Sequence, residues 1–139
     1  MNMLQEVNIS GKTILLIDDE LNVREIVKFC LQDLAGWDVV TADSSLEGLQ
    51  NAVHHSPDAI VLDISISDIA SFEFMNKLRN NPETQAIPVV LLSAKARWVD
   101  SQILRQYQVA GVILKPFNPV TLPAQVAQLL GWDFTSLMD

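Results

Sequence analysis

The amino-acid sequence predicts a single α/β domain, in which five parallel strands alternate with five helices that cover both faces of the sheet. Five short apolar runs recur along the chain, and turn-forming residues bound them. Segments with helical spacing of their apolar residues separate these runs, the pattern of right-handed βαβ crossovers. A length of 139 residues and a hydrophobic content of 49% suffice for one full-sized core.

The first two strands are predicted at residues 13–17 and 38–42, with a helix between them. Apolar residues at positions i, i+3, i+4, i+7 and i+11 predict that helix, and Gly36 is expected to end it. These residues are Val23, Ile26, Val27, Cys30 and Leu34. A second helix is expected to begin after Ser44 or Ser45. Its apolar residues are Leu46, Leu49 and Val53.

The third strand is predicted at residues 59–63, and it is apolar up to its last residue, Asp63. Continuous apolar runs are typical of strands that are buried on both faces. The remaining predicted elements are a helix with Phe72, Met75 and Leu78 facing inward, a strand at 87–92, a helix at 100–107, a strand at 110–114 and a helix that begins near Thr121.

Polar side chains stand at the ends of four of these strands. Asp18 and Asp19 follow the first strand, Asp63 ends the third, Ser93 follows the fourth and Lys115 follows the fifth. Each has an ordinary explanation when taken alone, such as capping the next helix. Because the carboxyl ends of parallel strands meet at one edge of a sheet, their joint placement favours a shared site.

The chemistry that suits this set is phosphoryl transfer to a carboxylate. Three carboxylates repel one another, and a hard divalent cation with oxygen ligands, best fitted by Mg²⁺, relieves that repulsion. Asp63 is the predicted nucleophile, which would form an acyl phosphate. Ser93 and Lys115 are predicted to hold the remaining phosphoryl oxygens.

These motifs resemble the receiver domain of two-component response regulators over roughly residues 12–131. The resemblance rests on Asp18-Asp19, Ile60-Val61-Leu62-Asp63, Ser93-Ala94 and Lys115-Pro116-Phe117, in this order and spacing. It implies a flavodoxin-like, doubly wound sheet with strand order 2-1-3-4-5. Residues 1–11 would then be a lead-in, and residues 132–139 a tail.

The resemblance also implies roles for individual residues. Asp63 would accept a phosphoryl group from a sensor histidine kinase or a phosphotransfer protein. Asp19 would ligate Mg²⁺ directly and Asp18 through water, and the backbone carbonyl of Ser65 would supply a further ligand. The peptide bond between Lys115 and Pro116 would be cis.

The sequence departs from the receiver pattern at three points. Ile66-Ser67 and Ser71 stand where the family usually has a Met-Pro pair and a glycine, and Val112 stands where a switch aromatic is usual. Two functional hypotheses follow: a phosphorylation-dependent switch for partner binding, or a receiver-like interaction module whose output is independent of phosphate. A cofactor-binding flavodoxin-like protein is disfavoured because no glycine-rich phosphate loop is present. A phosphatase is disfavoured because Ser65 stands where its second carboxylate is expected.

Composition excludes several other functions. A net charge of −8 argues against direct nucleic acid binding by this domain. No apolar run is long enough to span a membrane, and no signal peptide is visible. Cys30 is predicted to be a buried, unpaired thiol, and a cytoplasmic location is expected from it.

Two groups of aromatic residues have open roles. The resemblance implies that Trp98 lies on the face that receiver domains use for targets and homodimers, and a simple packing role is the alternative. The tail aromatics Trp132 and Phe134 either fold back on the body or mark a partner surface.

Overall fold

The computed structural model describes residues 11–63, 68–94 and 101–132, and within these ranges the predicted alternation of strands and helices is present. The elements are β1 (Thr13–Ile17), α1 (Leu21–Phe29), β2 (Asp38–Ala42), α2 (Ser45–His55), β3 (Ala59–Asp63), α3 (Asp68–Arg79), β4 (Val89–Ser93), α4 (Ser101–Gln106), β5 (Val109–Leu114) and α5 (Leu122–Leu130). The backbone of α1 continues as a π-helical segment, Cys30–Leu34. No helix in the described ranges is long and apolar enough to cross a membrane.

The five strands form one parallel sheet in the order β2-β1-β3-β4-β5. This confirms the predicted fold class and strand order. The register aligns the carboxyl ends of neighbouring strands. The aligned pairs at this edge are Ile17 with Ala42 and Leu62, Asp63 with Leu92, and Ser93 with Leu114. Residues that end or follow the central strands are therefore neighbours in space.

Helices cover both faces of the sheet, so each central strand is buried on both sides. Side chains alternate along β1: Ile14 and Leu16 join the cluster beneath α1 and α5, whereas Leu15 and Ile17 join the cluster beneath α2 and α3. All of β3 and β4 is buried. These two apolar clusters hold the strands in place and so position the polar groups at the carboxyl edge of the sheet.

The predicted helix boundaries agree with the structure. The Ser44 hydroxyl accepts a hydrogen bond from the Glu47 N–H, which caps α2. Gly36 has a φ of 75°, a left-handed conformation that glycine adopts without strain and that ends the helical segment before β2. The last helix begins after Thr121, with Pro123 in its first turn. Cys30 is buried and unpaired, as predicted.

The apolar stripes predicted for the first two helices are partly wrong. Ile26 and Leu34 are 51% and 47% exposed, and Leu46 and Val53 are 68% and 41% exposed. The residues of α2 that are buried are Gly48 and Ala52. Small side chains face inward because Ile17 and Phe74 approach this helix closely, so the larger apolar residues are turned outward.

Aromatic residues close the opposite, amino edge of the sheet. Trp37, which lies just before β2, is 2% exposed. Its ring meets that of Trp132 edge to face, with centroids 5.3 Å apart and planes at 84°. The ammonium of Lys12 stands 5.0 Å from the centroid of Trp132. At Trp132 the prediction of folding back on the body is therefore confirmed, whereas residues 133–139 lie outside the described residues.

Candidate functional site

The structure places four predicted site residues together at the carboxyl edge of the sheet. Asp18 follows β1, Asp63 and Ser93 end β3 and β4, and Lys115 follows β5. Asp18 and Asp63 are each 1% exposed, and Ser93 is fully buried. Asp19 is exposed beside them. Ser65 and the loop departures Ile66-Ser67 lie outside the described residues, and so does Trp98.

Lys115 binds both carboxylate oxygens of Asp63. Its Nζ lies 2.7 Å from Oδ1 and 2.6 Å from Oδ2 of Asp63. The backbone N–H of Lys115 donates a 2.8 Å hydrogen bond to the carbonyl of Ser93, which fixes where the lysine leaves the sheet. The Lys115–Pro116 peptide is cis, as predicted. A partly exposed ammonium is thus held against a buried carboxylate, where it offsets the charge of that group.

Three hydrogen bonds hold Asp18 in place. Its N–H donates to the carbonyl of Ala42 at 3.0 Å, and its Oδ1 accepts from the Glu20 N–H at 2.9 Å. Its carbonyl accepts a 2.8 Å hydrogen bond from Nη1 of Arg24, a residue of α1. The backbone and one carboxylate oxygen of Asp18 are therefore fixed, and Oδ2 is left for another ligand.

The electrostatics of this pair are unfavourable without a cation. Burial raises the pKa of the Asp18 carboxyl to about 7, and the hydrogen bond from Glu20 acts in the opposite direction. The negative charge of Asp63 also contributes to this rise in the pKa of Asp18, and the positive charge of Lys115 opposes it. The single ammonium of Lys115 thus does not fully compensate the two buried carboxylates.

The donor set fits Mg²⁺. Within the described ranges, Oδ2 of Asp18 is buried and accepts no hydrogen bond. Oδ2 of Asp63 is also buried, and its contact is the ion pair with Lys115 rather than a hydrogen bond. No three acidic, histidine or cysteine side chains among the described residues could enclose a metal ion by themselves. Mg²⁺ does not need such a cage, because it usually keeps several waters and binds one or two carboxylates together with phosphate oxygens.

Val112 occupies the middle of β5, opposite Leu91 of β4. Its side chain is half-buried and packs against the same core cluster as Tyr107. The ring of Tyr107 stacks on Phe72 of α3, with centroids 5.1 Å apart. The aromatic pair of Tyr107 and Phe72 thus lies just after α4 and in α3, whereas position 112 of β5 holds an aliphatic side chain.

Two features beside the site were not predicted from the sequence. Arg24 was given no role, although its charge at a helix position six residues after Asp18 was a usable signal. An apolar groove of about 430 Å³ opens next to Lys115 and is lined by Val23, Ile26, Phe117 and Pro119, among others. A second groove of about 510 Å³ shares Ile26 and Pro119 and extends the surface to Phe29 and Val120.

Comparison with known proteins identifies the class. The family model for the response regulator receiver domain matches residues 14–127, and the chain belongs to this family. Receiver domains are in general signalling proteins rather than turnover enzymes. They interact with histidine kinases or phosphotransfer proteins and bind Mg²⁺ in their active site.

Individual relatives agree with this assignment. The chain is 34% identical over 120 residues to response regulator Rre1 of Synechocystis sp., and these residues cover 85% of the chain. It is 30% identical over 122 residues, 86% of its length, to the phosphate regulon transcriptional regulatory protein PhoB of Pseudomonas aeruginosa. The chain spans about half of both relatives, 51% and 52% of their lengths.

A solved structure matches nearly end to end. The chemotaxis response regulator CheY4 of Vibrio cholerae superposes with a TM-score of 0.76 at 28% identity. The match covers 86% of this chain and 98% of that protein. The fold at the level of the whole receiver domain is therefore shared.

Proposed function

We propose that this receiver domain accepts a phosphoryl group on Asp63 from a phosphohistidine of a sensor histidine kinase or phosphotransfer protein, and that the modification switches its affinity for a downstream partner. The observation that carries the proposal is the contact of Lys115 Nζ with both oxygens of the buried Asp63 carboxylate, beside Asp18. An ordinary surface aspartate has neither the burial nor the paired ammonium.

The chemistry follows from this arrangement. An oxygen of Asp63 attacks phosphorus, the bond from phosphorus to the donor imidazole nitrogen breaks, and an acyl phosphate forms while the imidazole leaves with its electron pair. Lys115 moves its hydrogen bonds from the carboxylate to phosphoryl oxygens, and the Ser93 hydroxyl donates another. The proposed Mg²⁺ ligands are Asp18, Asp19, Asp63 and the carbonyl of Ser65. When bound, Mg²⁺ supplies positive charge where carboxylate and phosphoryl oxygens would repel one another.

The two apolar grooves supply a docking face for the donor. Ile26 and Phe29 of α1 are 51% and 54% exposed, and Val120 before α5 is 72% exposed. Exposed apolar surface of this kind marks a protein interface. Because the groove ends at Lys115, a protein that covers it brings its histidine to Asp63.

We propose that residues 12–131 form the receiver domain of a cytoplasmic protein. The face near Trp98 is the proposed surface for binding a downstream target protein or a second copy of the chain. The matched residues make up about half of the relatives that are named as transcriptional regulatory proteins, so the regulatory output of such proteins need not lie in the receiver domain itself.

The alternative is an interaction module whose output does not depend on phosphate. The half-buried Val112 favours it, because an aliphatic side chain cannot make the inward swing of a ring. The buried set of Asp18, Asp63, Ser93 and Lys115 disfavours it, since two buried carboxylates are costly to keep without a use.

Intact mass after incubation with acetyl phosphate tests the proposal. We expect a gain of one phosphoryl group that requires Mg²⁺ and is absent in Asp63→Asn. Asp33→Asn, which removes an exposed carboxylate of the π-helical segment, is the matched control and should be labelled like the wild type. Labelling of Asp63→Asn would count against Asp63 as the acceptor. No labelling of the wild type at any Mg²⁺ concentration would favour the phosphate-independent module.

A further inference from the structure

We infer that Arg24 is a positioning residue of the phosphorylation site, which holds the backbone of Asp18 so that its carboxylate can bind Mg²⁺. Its Nη1 donates a 2.8 Å hydrogen bond to the Asp18 carbonyl, bridging six residues of chain from α1 back to the end of β1. The inference rests on the proposed function, because it concerns the cation that the same site would bind.

The contact is built into the fold rather than made at a free surface. Arg24 is half-buried, and its own N–H donates a 2.9 Å hydrogen bond to the carbonyl of Glu20 in the first turn of α1. The turn that carries Asp18, Asp19 and Glu20 is therefore held by both β2 and α1. The Asp18 N–H donates to the Ala42 carbonyl of β2. Arg24 of α1 holds the carbonyls of Asp18 and Glu20, the first through its side chain and the second through its backbone N–H.

Arg24 acts on the backbone and not on a carboxylate. Within the described ranges its guanidinium donates to the Asp18 carbonyl and forms no ion pair with an acidic side chain. This distinction sets the sign of the expected effect. If the guanidinium acted only by its charge, it would repel the cation, and removing it would tighten Mg²⁺ binding. If it positions Asp18, removing it weakens Mg²⁺ binding.

The position of the Asp18 carbonyl matters because it determines where the Asp18 carboxylate stands to bind Mg²⁺. Oδ1 of Asp18 is already held by the Glu20 N–H, whereas the other oxygen of this carboxylate, the buried Oδ2, accepts no hydrogen bond from the described part of the chain. Rotation of the Asp18 backbone would change the position of Oδ2 relative to the neighbouring Asp63 carboxylate. Removing a group that orients a metal ligand by hydrogen bonding, without itself touching the metal, typically weakens metal binding by about 10- to 100-fold.

The test is a MgCl₂ titration followed by the amide NMR signals of Asp19 and Glu20, which reports binding without any phosphorylation. Arg24→Met keeps the apolar stem and removes the guanidinium, and we expect it to raise the Kd for Mg²⁺ about tenfold. Arg24→Lys retains a donor of similar reach and should recover most of the affinity. Lys28→Met, in the last turn of α1, is the matched loss of a basic charge and should bind like the wild type.

A second readout separates positioning from catalysis. The rate of labelling by acetyl phosphate at saturating Mg²⁺ should stay within about twofold of the wild type in Arg24→Met, since the defect lies in cation affinity. If Arg24→Met is poorly folded by circular dichroism, Arg24→Gln replaces it.

Three results would overturn the inference: unchanged or tighter Mg²⁺ binding by Arg24→Met, an equal loss in Lys28→Met, or no recovery in Arg24→Lys. Failure of the wild type itself to bind Mg²⁺ would instead contradict the proposed function.

Discussion

Asp18 shows how a single residue can be kept at the expense of stability. It is 1% exposed, lies beside the buried Asp63, and burial raises its pKa to about 7. A core position with no functional demand would hold an apolar or neutral residue there. The acidic pair is therefore best explained by a ligand that is present when the protein works.

Replacing Asp18 by Asn should stabilise the Mg²⁺-free protein. The change removes one of two adjacent buried charges and keeps an oxygen that can accept from the Glu20 N–H. We expect the free energy of unfolding to rise by about 1 kcal/mol, a few degrees in Tm. Thermal unfolding in EDTA measures this.

The same variant should lose the response to Mg²⁺. Wild-type Tm should rise with MgCl₂ because the cation binds the folded state, and Asp18→Asn should show little or no rise. Asp33→Asn controls for loss of an exposed carboxylate. A lower Tm of Asp18→Asn in EDTA, or an undiminished rise with Mg²⁺, would contradict this account of the pair.

At the scale of elements, α2 shows how close packing decides which face of a helix is buried. A Cβ on Gly48 would lie 2.5 Å from Cδ1 of Ile17 and 3.3 Å from Cε1 of Phe74. Both neighbours are buried, so they have little room to move. The helix can approach the sheet at this distance only because residue 48 has no side chain.

Gly48→Ala should therefore destabilise the fold although alanine favours helices. The helix propensity gain is about 1 kcal/mol, and overpacking costs about 1–3 kcal/mol, so we expect a net loss of about 1 kcal/mol. Denaturant unfolding measures it. Gln50→Ala, at an exposed position of α2, should be neutral. A stabilised Gly48→Ala would mean that α2 lies farther from β1 than the structure places it.

The outward face of α1 carries a different prediction. Ile26→Glu places a charge in the apolar groove beside Lys115 and should reduce transfer from a histidine-phosphorylated protein by tenfold or more. Labelling by acetyl phosphate, which needs no docking face, should stay within about twofold. Leu46→Glu replaces a still more exposed apolar residue, on α2, and should leave both reactions intact. Equal loss from both donors would place the defect in the site rather than in docking.

The sequence predicted the strands more reliably than the faces of the helices. Strand runs such as 59–62 are apolar throughout, so their position follows from the local run of apolar residues, and β1, β2 and β3 have the predicted bounds. The inward face of α2 depends on Ile17 and Phe74, which come from other elements. Apolar spacing within one helix cannot contain that information, and Leu46 and Val53 were assigned to the wrong side for this reason.

At the scale of the whole molecule, the carboxyl edge of the sheet carries the candidate site, whereas the amino edge carries aromatic packing that stabilises the fold. The carboxyl edge holds the buried acidic pair, and the amino edge holds Trp37, Trp132 and Lys12. The aromatic contact joins the residue before β2 to the second residue after α5, so it packs the end of the domain against the sheet without touching the site. Stability and phosphorylation should therefore be separable.

Trp132→Ala tests this separation. It removes the edge-to-face contact with Trp37 and the cation–π contact with Lys12, so we expect a loss of about 2 kcal/mol in the free energy of unfolding. Chemical denaturation measures the loss. The rate of labelling by acetyl phosphate, measured well below the Tm, should be unchanged. A labelling defect in a variant that remains folded would show that the two edges are coupled.

The co-location of the candidate site residues could be predicted because it depends on chain order and on the parallel sheet. Once Asp63, Ser93 and Lys115 stand at or just after the ends of three strands, a parallel arrangement brings them to the same edge without further information. The 2.8 Å hydrogen bond from Arg24 to the Asp18 carbonyl depends instead on how α1 packs against the turn of residues 18–20. Contacts between a side chain and a distant backbone group leave no periodic pattern in the sequence.

The most direct test of the central claim is to locate the phosphoryl group. Borohydride reduces an acyl phosphate to an alcohol, so treatment after acetyl phosphate and Mg²⁺ converts the modified aspartate to homoserine, which peptide mass spectrometry assigns to one position. The account predicts homoserine at residue 63 alone, and none when Mg²⁺ is withheld. Conversion at Asp18, Asp19 or another carboxylate, or at no position while the wild type binds Mg²⁺, would contradict it.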